Sequence, residues 1–97
     1  MANVALRYLP ARDVENGNAA FGMIVRALDG QALGRLEGFM IDPAARTLRY
    51  FVVDTRRGRR LMRRLLPFVP AWLDAEHRVL HLLTDIPSAG QRSAVAV

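Results

Sequence analysis

The sequence predicts an all-β domain with the architecture of a small antiparallel sandwich or barrel. Short runs of β-branched and aromatic residues recur between residues 21 and 84, and turn-forming dipeptides separate them. The chain has 97 residues, which is the size of one domain. A chain of this length buries only about 60–65% of the surface of its unfolded form, so its margin of stability is small.

The segments with strand composition come in a regular order. They are FGMIVRAL, ALGRLEGFMI, LRYFVVD and RVLHLLT, at residues 21–28, 32–41, 48–54 and 78–84. Asp29-Gly30 and Asp42-Pro43 are typical of tight turns. We expect the side chains of Asp29, Asp42 and Asp54, each at a turn or the end of a predicted strand, to accept hydrogen bonds from nearby backbone N–H groups.

The stretch TRRGRRLMRRLLPFVP, which begins at residue 55, is ambiguous because its apolar and basic doublets repeat every four residues. A helix collects Leu61, Met62, Leu65 and Leu66 on one side and the arginines on the other, whereas a strand mixes both types on each face. The local pattern alone therefore favours a short helix of about two turns that Pro67 ends.

A set of short motifs follows one another in a characteristic order over residues 21–84. The positions are Gly22, Val25, Asp29-Gly30, Leu33-Gly34-Arg35-Leu36, Asp42-Pro43, Val52-Val53-Asp54 and Leu66-Pro67. In this order they resemble the PRC-barrel family. That domain is shared by the cytoplasmic part of the photosynthetic reaction-centre H subunit and by a ribosome small-subunit maturation factor.

The resemblance implies a small, strongly bent antiparallel β-barrel of about five to six strands. The barrel then occupies residues 21–84, between an N-terminal extension (1–20) and a C-terminal tail (85–97). It also implies a strand where the local pattern favours a helix. We adopt the strand, with a bulge near Arg63-Arg64 to accommodate the doublets.

One position departs from the family pattern. Many members carry an acid where this chain has Gly38, so a role that depends on that acid is not carried over. A glycine in the middle of a strand marks a bulge or a close approach of another backbone. We expect one of these at Gly38.

The chain is strongly basic, with a net charge of +5 and a pI of about 11.2. Its candidate binding site for a partner or for phosphates consists of Arg56, Arg57, Arg59, Arg60, Arg63 and Arg64. Such a cluster binds phosphates bidentately, but no aromatic residue between 55 and 67 offers a base a stacking surface. The alternative is a solvated hairpin whose charges protect a sheet edge from aggregation.

Residues with catalytic or metal-binding chemistry are scarce in the sequence. There is no cysteine, and Ser88 and Ser93 lack the Gly-x-Ser-x-Gly context of a nucleophile elbow. His77 and His81 are four apart, which on a strand separates them by about 13 Å, too far for a shared metal. We therefore expect neither an enzyme nor a site for a metal or cofactor.

Large aromatic residues and the apolar composition point to protein interfaces instead. Phe68 and Trp72 are candidate interface residues, and Trp72 equally fits a cap over the open end of the barrel core. The composition is 52% hydrophobic, which favours a homodimer that covers part of the apolar surface. No apolar run is long enough to span a membrane and no signal-peptide pattern is evident, so we expect a cytoplasmic protein.

The sequence thus favours a non-catalytic protein-interaction or adaptor module of the PRC-barrel type, whose protein partner it does not identify. The alternative is a ribosome- or RNA-associated factor that binds phosphates through arginines 56–64. Salt dependence of RNA binding separates the two hypotheses.

Overall fold

The computed structural model describes residues 5–15 and 17–86. Its strands are β1 (Arg7–Pro10), β2 (Ile24–Arg26), β3 (Ala32–Asp42), β4 (Thr47–Arg57), β5 (Arg60–Pro67), β6 (Ala71–Asp74) and β7 (Val79–Leu82). Single-turn 3-10 helices at Ala11–Asp13 and Asn18–Ala20 lie between β1 and β2. The all-β prediction is confirmed. Over the described ranges, no helix has the length and apolar character needed to cross a membrane.

The strands form one mixed sheet that is organised around β3. Hydrogen-bonded neighbours follow the order β5-β4-β3-β2-β7-β6, and β1 also pairs with β3. β4 pairs along most of one edge of β3. The other edge is shared by two strands: β2 pairs with residues 32–35 of β3, and β1 with residues 38–41. A register shift between Leu36 and Gly38 lies where β2 gives way to β1, and such a bulge bends the strand.

The prediction of a closed antiparallel barrel is not supported by this topology. Among the described strands, β5 and β6 are the two ends of the hydrogen-bonded path, so the sheet stays open between them. The chain crosses from β5 to β6 and returns as β7 parallel to β2, which makes the sheet mixed. The sheet has seven strands rather than five or six.

The hydrophobic core covers one face of the curved sheet. Its buried side chains come from β2, β3, β4, β5 and β7: Val25, Leu33, Leu36, Phe39, Phe51, Val53, Leu66, Leu80 and Leu82. Ala11 and Ala20, from the two 3-10 helices, complete the cluster. The segment predicted as an N-terminal extension, residues 1–20, therefore supplies a sheet strand and two core residues. Of the predicted tail, residues 87–97 lie outside the described residues.

Two turns of the same design connect β3 to β4 and β6 to β7. Asp42 and Asp74 precede them, and Arg46 and Arg78 end them in the left-handed region at φ 56°. Each Asp side chain accepts hydrogen bonds from backbone N–H groups of its turn: those of Ala44, Ala45 and His77. The Asp29 side chain does the same for Gln31 N–H. The prediction for the aspartates is confirmed at Asp29 and Asp42. Asp54 instead lies within β4, where its side chain accepts a hydrogen bond from Arg63 Nε.

The ambiguous basic stretch is a strand, β5, which forms a hairpin with β4. Pairing runs without a register shift from Tyr50 opposite Pro67 to Arg57 opposite Arg60. The predicted bulge near Arg63-Arg64 is therefore wrong. Pairing with β4 along the whole of β5, with Leu66 fully buried in the core, outweighs the local preference for a helix.

Candidate functional site

The regular register of β4 and β5 divides the hairpin side chains between two faces. Val53, opposite Arg64, is fully buried and marks the core face. Asp54 and its partner Arg63 are one residue on, so they lie on the opposite side of the sheet, which we call the outer face. Arg63 and Arg64, the two neighbouring arginines of β5, are therefore on opposite faces.

The arginine cluster consequently does not converge on one surface. On the outer face, Arg63 Nε donates to Asp54 Oδ1 at 3.2 Å, and Arg56 shares this face by alternation. On the core face, Arg64 Nη1 reaches the carbonyl of Leu33 at 3.5 Å, and Arg60 shares that side. Arg59 lies exposed in the two-residue loop, and the Arg57 side chain lies outside the described part of the chain.

Arg63 takes part in a compact polar cluster on the outer face. Its guanidinium lies 5.4 Å from the ring centroid of Tyr8, a cation–π distance. The Tyr8 hydroxyl donates to the carbonyl oxygen of Glu37 at 3.4 Å. Tyr8 and Glu37 were not among the predicted site residues, because the pairing of β1 with β3 that brings them here is long-range and leaves no local signal in the sequence.

Gly38 makes this cluster possible. A Cβ at position 38 would lie 2.5 Å from the Leu9 carbonyl oxygen and 2.8 Å from Tyr8 Cε1. Only a glycine lets β1 and the Tyr8 ring come this close to β3. The predicted bulge and close backbone approach at Gly38 are both confirmed.

The carboxylates of this cluster influence each other. Partial burial raises the pKa of Glu37, and the charge of Asp54 and a hydrogen bond with it raise the pKa further, while Arg63 opposes the change. Burial likewise raises the pKa of Tyr8, against the effect of Arg63. Glu37 therefore keeps its proton to a higher pH than an isolated glutamate.

An open groove of about 510 Å³ lies beside this cluster. Its lining combines charges of both signs with apolar side chains: Ile24, Ala32, Gly34, Arg35, Glu37, Asp54, Thr55, Arg56 and Leu61. Most of its polar groups are bonded within the protein. Arg35 Nη1 donates to the Gly22 carbonyl at 3.0 Å, and Asp54 binds Arg63. Such a surface can recognise a polar partner, but its groups do not converge on one reacting atom.

The predicted interface residue Trp72 lies on β6 and is 54% exposed. Its indole stacks on the His81 ring, with centroids 5.2 Å apart and an interplanar angle of 21°. The interpretation of Trp72 as a cap over the core is wrong. Because Leu73 packs against the core, strand alternation turns Trp72 outward.

The two histidines lie closer together than predicted. His77 Nδ1 and His81 Nε2 are 2.8 and 3.9 Å from the same oxygen, Asp74 Oδ2. His77 lies in the turn after β6 rather than on the strand, and the turn folds it back over Asp74. Desolvation acts to raise the pKa of Asp74, but hydrogen bonds from His77 outweigh it, so the pKa is lowered. In the described ranges, no three or more His, Cys, Asp or Glu residues form a group suited to a metal ion.

Phe68, the other predicted interface residue, lies at the opening of the core and is 43% exposed. Its ring packs 4.8 Å from Phe51 and 6.4 Å from Phe39 between centroids. It borders an apolar cleft of about 290 Å³ between the 3-10 helices and β6, lined also by Val14, Leu36, Leu48, Val69, Pro70, Ala71, Leu73 and Leu80. Phe68 thus occupies the capping position that was considered for Trp72.

A scan of the chain against protein-family models finds no match, and a search of curated proteins finds no significant relative.

Proposed function

We propose that the chain is a non-catalytic protein-interaction module of the PRC-barrel type. The observation that carries the proposal is the exposure of Trp72 on the outer face of β6, next to the open side of the sheet. A tryptophan held flat against His81 is a rigid anchor that loses little conformational entropy on binding. The all-β fold and the ordered motifs over residues 21–84 support the family type.

The surface around Trp72 has further features of an interface. Leu83 is 53% exposed, and its N–H donates to the carbonyl of Pro70, so Leu83 lies beside the segment that leads into β6. Phe68 lies at the other end of this segment. Large exposed apolar side chains thus lie at both ends of residues 68–72 and beside this segment, which supports an interface in this region.

Capture of partners with matched surface variants tests the proposal. We expect cross-linked affinity capture from cell extract to recover a protein whose yield falls about tenfold with Trp72→Ser, because hot-spot tryptophans carry much of the binding energy. Leu28→Ser is the control, since Leu28 is also 54% exposed but lies in the turn after β2. Equal capture by wild type and Trp72→Ser contradicts the proposal.

The RNA alternative depends on a shared surface for the arginines. The register divides Arg56 and Arg63 from Arg60 and Arg64, and Arg63 is already bound to Asp54. Anisotropy titrations of a generic RNA across a salt series discriminate between the two hypotheses, because each neutralised phosphate adds to the salt slope. A steep slope that Arg60→Gln and Arg64→Gln reduce supports the RNA alternative over the adaptor.

A further inference from the structure

The edge of β5 that faces away from β4 is the longest open edge among the described strands of the sheet. Among the described strands, β5 pairs only with β4, and it runs for eight residues from Arg60 to Pro67. The other end of the sheet, β6, has four residues and follows Pro70 directly. A short edge beside a proline is poorly suited to pairing, whereas a long edge is a template for another strand.

The hydrogen-bond pattern identifies which backbone groups β5 leaves available. Phe68 N–H donates to the Arg49 carbonyl at 3.0 Å, which makes these residues a hydrogen-bonded pair. Such pairs alternate along an antiparallel ladder. With the unshifted register, Leu61, Arg63 and Leu65 therefore direct their N–H and C=O groups away from β4. None of these residues is a proline, so each of them can both donate to and accept from an added strand.

The side chains around this edge define the charge of a suitable partner. Arg56, Arg59 and Arg60 are exposed, and their side chains form no hydrogen bond or ion pair with another described residue. The nearby carboxylate of Asp54 is already bound to Arg63. Between the arginines, Leu61 is 56% exposed. The edge thus offers unneutralised positive charge next to an apolar contact.

We propose that β5 binds an acidic, extended peptide segment by strand addition. An added strand places alternate side chains on opposite faces, so acidic residues lie on the face of Arg60 and Arg64 while aliphatic residues lie beside Leu61 on the outer face. A second copy of β5 brings arginines opposite arginines, which is unfavourable. This inference rests on the proposed interaction function and specifies the chemistry of the partner.

A synthetic peptide with alternating Glu and Val, blocked at both ends and carrying a fluorophore, is the first probe. We expect it to bind in anisotropy titrations at about 0.15 M salt. A Lys-Val peptide tests the charge, and an N-methylated Glu-Val peptide tests the backbone bonds. Both peptides should bind at least about tenfold more weakly than the Glu-Val peptide. Equal binding of the N-methylated peptide overturns strand addition.

Variants of β5 place the binding on this edge. Leu61→Pro removes an outward N–H without removing a bond to β4, so we expect a folded protein that binds the peptide about tenfold more weakly. Arg59→Gln with Arg60→Gln should weaken binding similarly. Arg46→Asn with Arg78→Asn is the matched control, because it removes the same charge from turns remote from this edge, at positions where asparagine tolerates a positive φ.

The outcomes separate this inference from the proposed function. Full affinity in Leu61→Pro, confirmed as folded by circular dichroism, overturns the assignment to β5. If Leu61→Pro does not fold, the N-methylated peptide decides alone. No peptide binding together with Trp72-dependent capture of a protein overturns strand addition and leaves the interaction function standing. Binding of a poly-uridine RNA in place of the peptide, with the same dependence on Arg59 and Arg60, overturns it in favour of nucleic acid.

Discussion

At the scale of single residues, the polar cluster on the outer face depends on the absence of a side chain at Gly38. The missing side chain lets Tyr8 pack against β3, and the Tyr8 ring in turn makes a cation–π contact with the guanidinium of Arg63. Asp54 holds Arg63 from the other side at 3.2 Å. The ordering of this cluster therefore follows from a backbone contact and not from the charges, which at a partly exposed site contribute little.

We expect Gly38→Ala to lower the free energy of unfolding by about 1–3 kcal/mol, because overpacking against a backbone atom forces strand β1 to move. Urea titration followed by far-UV circular dichroism measures the loss. Tyr8→Ala in the same chain relieves the contact with the Tyr8 ring but not the one with the Leu9 carbonyl. If the double variant is as stable as Tyr8→Ala alone, the added Cβ has no cost once the ring is removed, which contradicts a clash with the Leu9 carbonyl.

The raised pKa of Glu37 gives stability a pH dependence of predictable sign. In the folded state Glu37 binds its proton more tightly than at the ordinary pKa of 4.5. Its contribution is therefore fully present below pH 4.5 and is lost as pH rises through the folded-state pKa. We expect Glu37→Gln to be more stable than wild type at neutral pH and to lose this advantage in acid.

Urea titrations at several pH values between acid and neutral measure this difference. Glu76→Gln, a change in the exposed turn after β6, controls for the loss of one negative charge from the molecule. If the extra stability of Glu37→Gln over wild type grows as the pH falls, the pKa of Glu37 is not raised in the folded state.

At the scale of elements, the sequence predicted strands best where local composition and tertiary pairing agree. LRYFVVD, which is rich in β-branched and aromatic residues, falls within β4, and ALGRLEGFMI falls within β3. Both strands have hydrogen-bonded neighbours on two sides. FGMIVRAL shortens to β2, since only Ile24–Arg26 pairs with β3 and β7. β1 and β6 lack such composition: β1 is a strand through its long-range pairing with β3, and β6 through a local hairpin with β7.

The candidate site was harder to predict than the strands for a related reason. The sequence shows six arginines between 56 and 64, but a strand and a helix divide them between faces differently. Only the register with β4 decides that Arg63 faces Asp54 while Arg64 faces Leu33. The exposure of Trp72 likewise depends on which alternate residue of β6 enters the core.

The β4–β5 hairpin depends on a positive φ at its first loop residue. Gly58 has a φ of 60°, and a Cβ there meets nothing within 4 Å, so only the backbone conformation resists a side chain. We expect Gly58→Val to lower the free energy of unfolding by about 1–2 kcal/mol. Gly58→Asn should cost clearly less, because asparagine enters this region readily. Chemical denaturation compares the two, and equal losses contradict a conformational cause.

At the scale of the whole molecule, the open sheet leaves apolar surface to be covered. The cleft of about 290 Å³ beside Phe68 leads to the core between the 3-10 helices and β6, which is one unpaired end of the described sheet. A domain of this size has little stability to spare, so a second copy that covers the cleft adds to it. The arginines disfavour contact between two β5 edges, so we expect any homodimer to form at the cleft.

Sedimentation velocity over about 10–500 µM tests the homodimer, because mass action makes a moderately tight dimer visible in this range. We expect wild type to shift from monomer to dimer across it. Ala71→Glu, which adds a charge at the rim of the cleft without removing a packed ring, should stay monomeric. Ala45→Glu adds the same charge in the exposed turn after β3 and should dimerise like wild type. If wild type is a monomer at all concentrations, the homodimer is contradicted. If Ala71→Glu dimerises like wild type, the interface is not at the cleft.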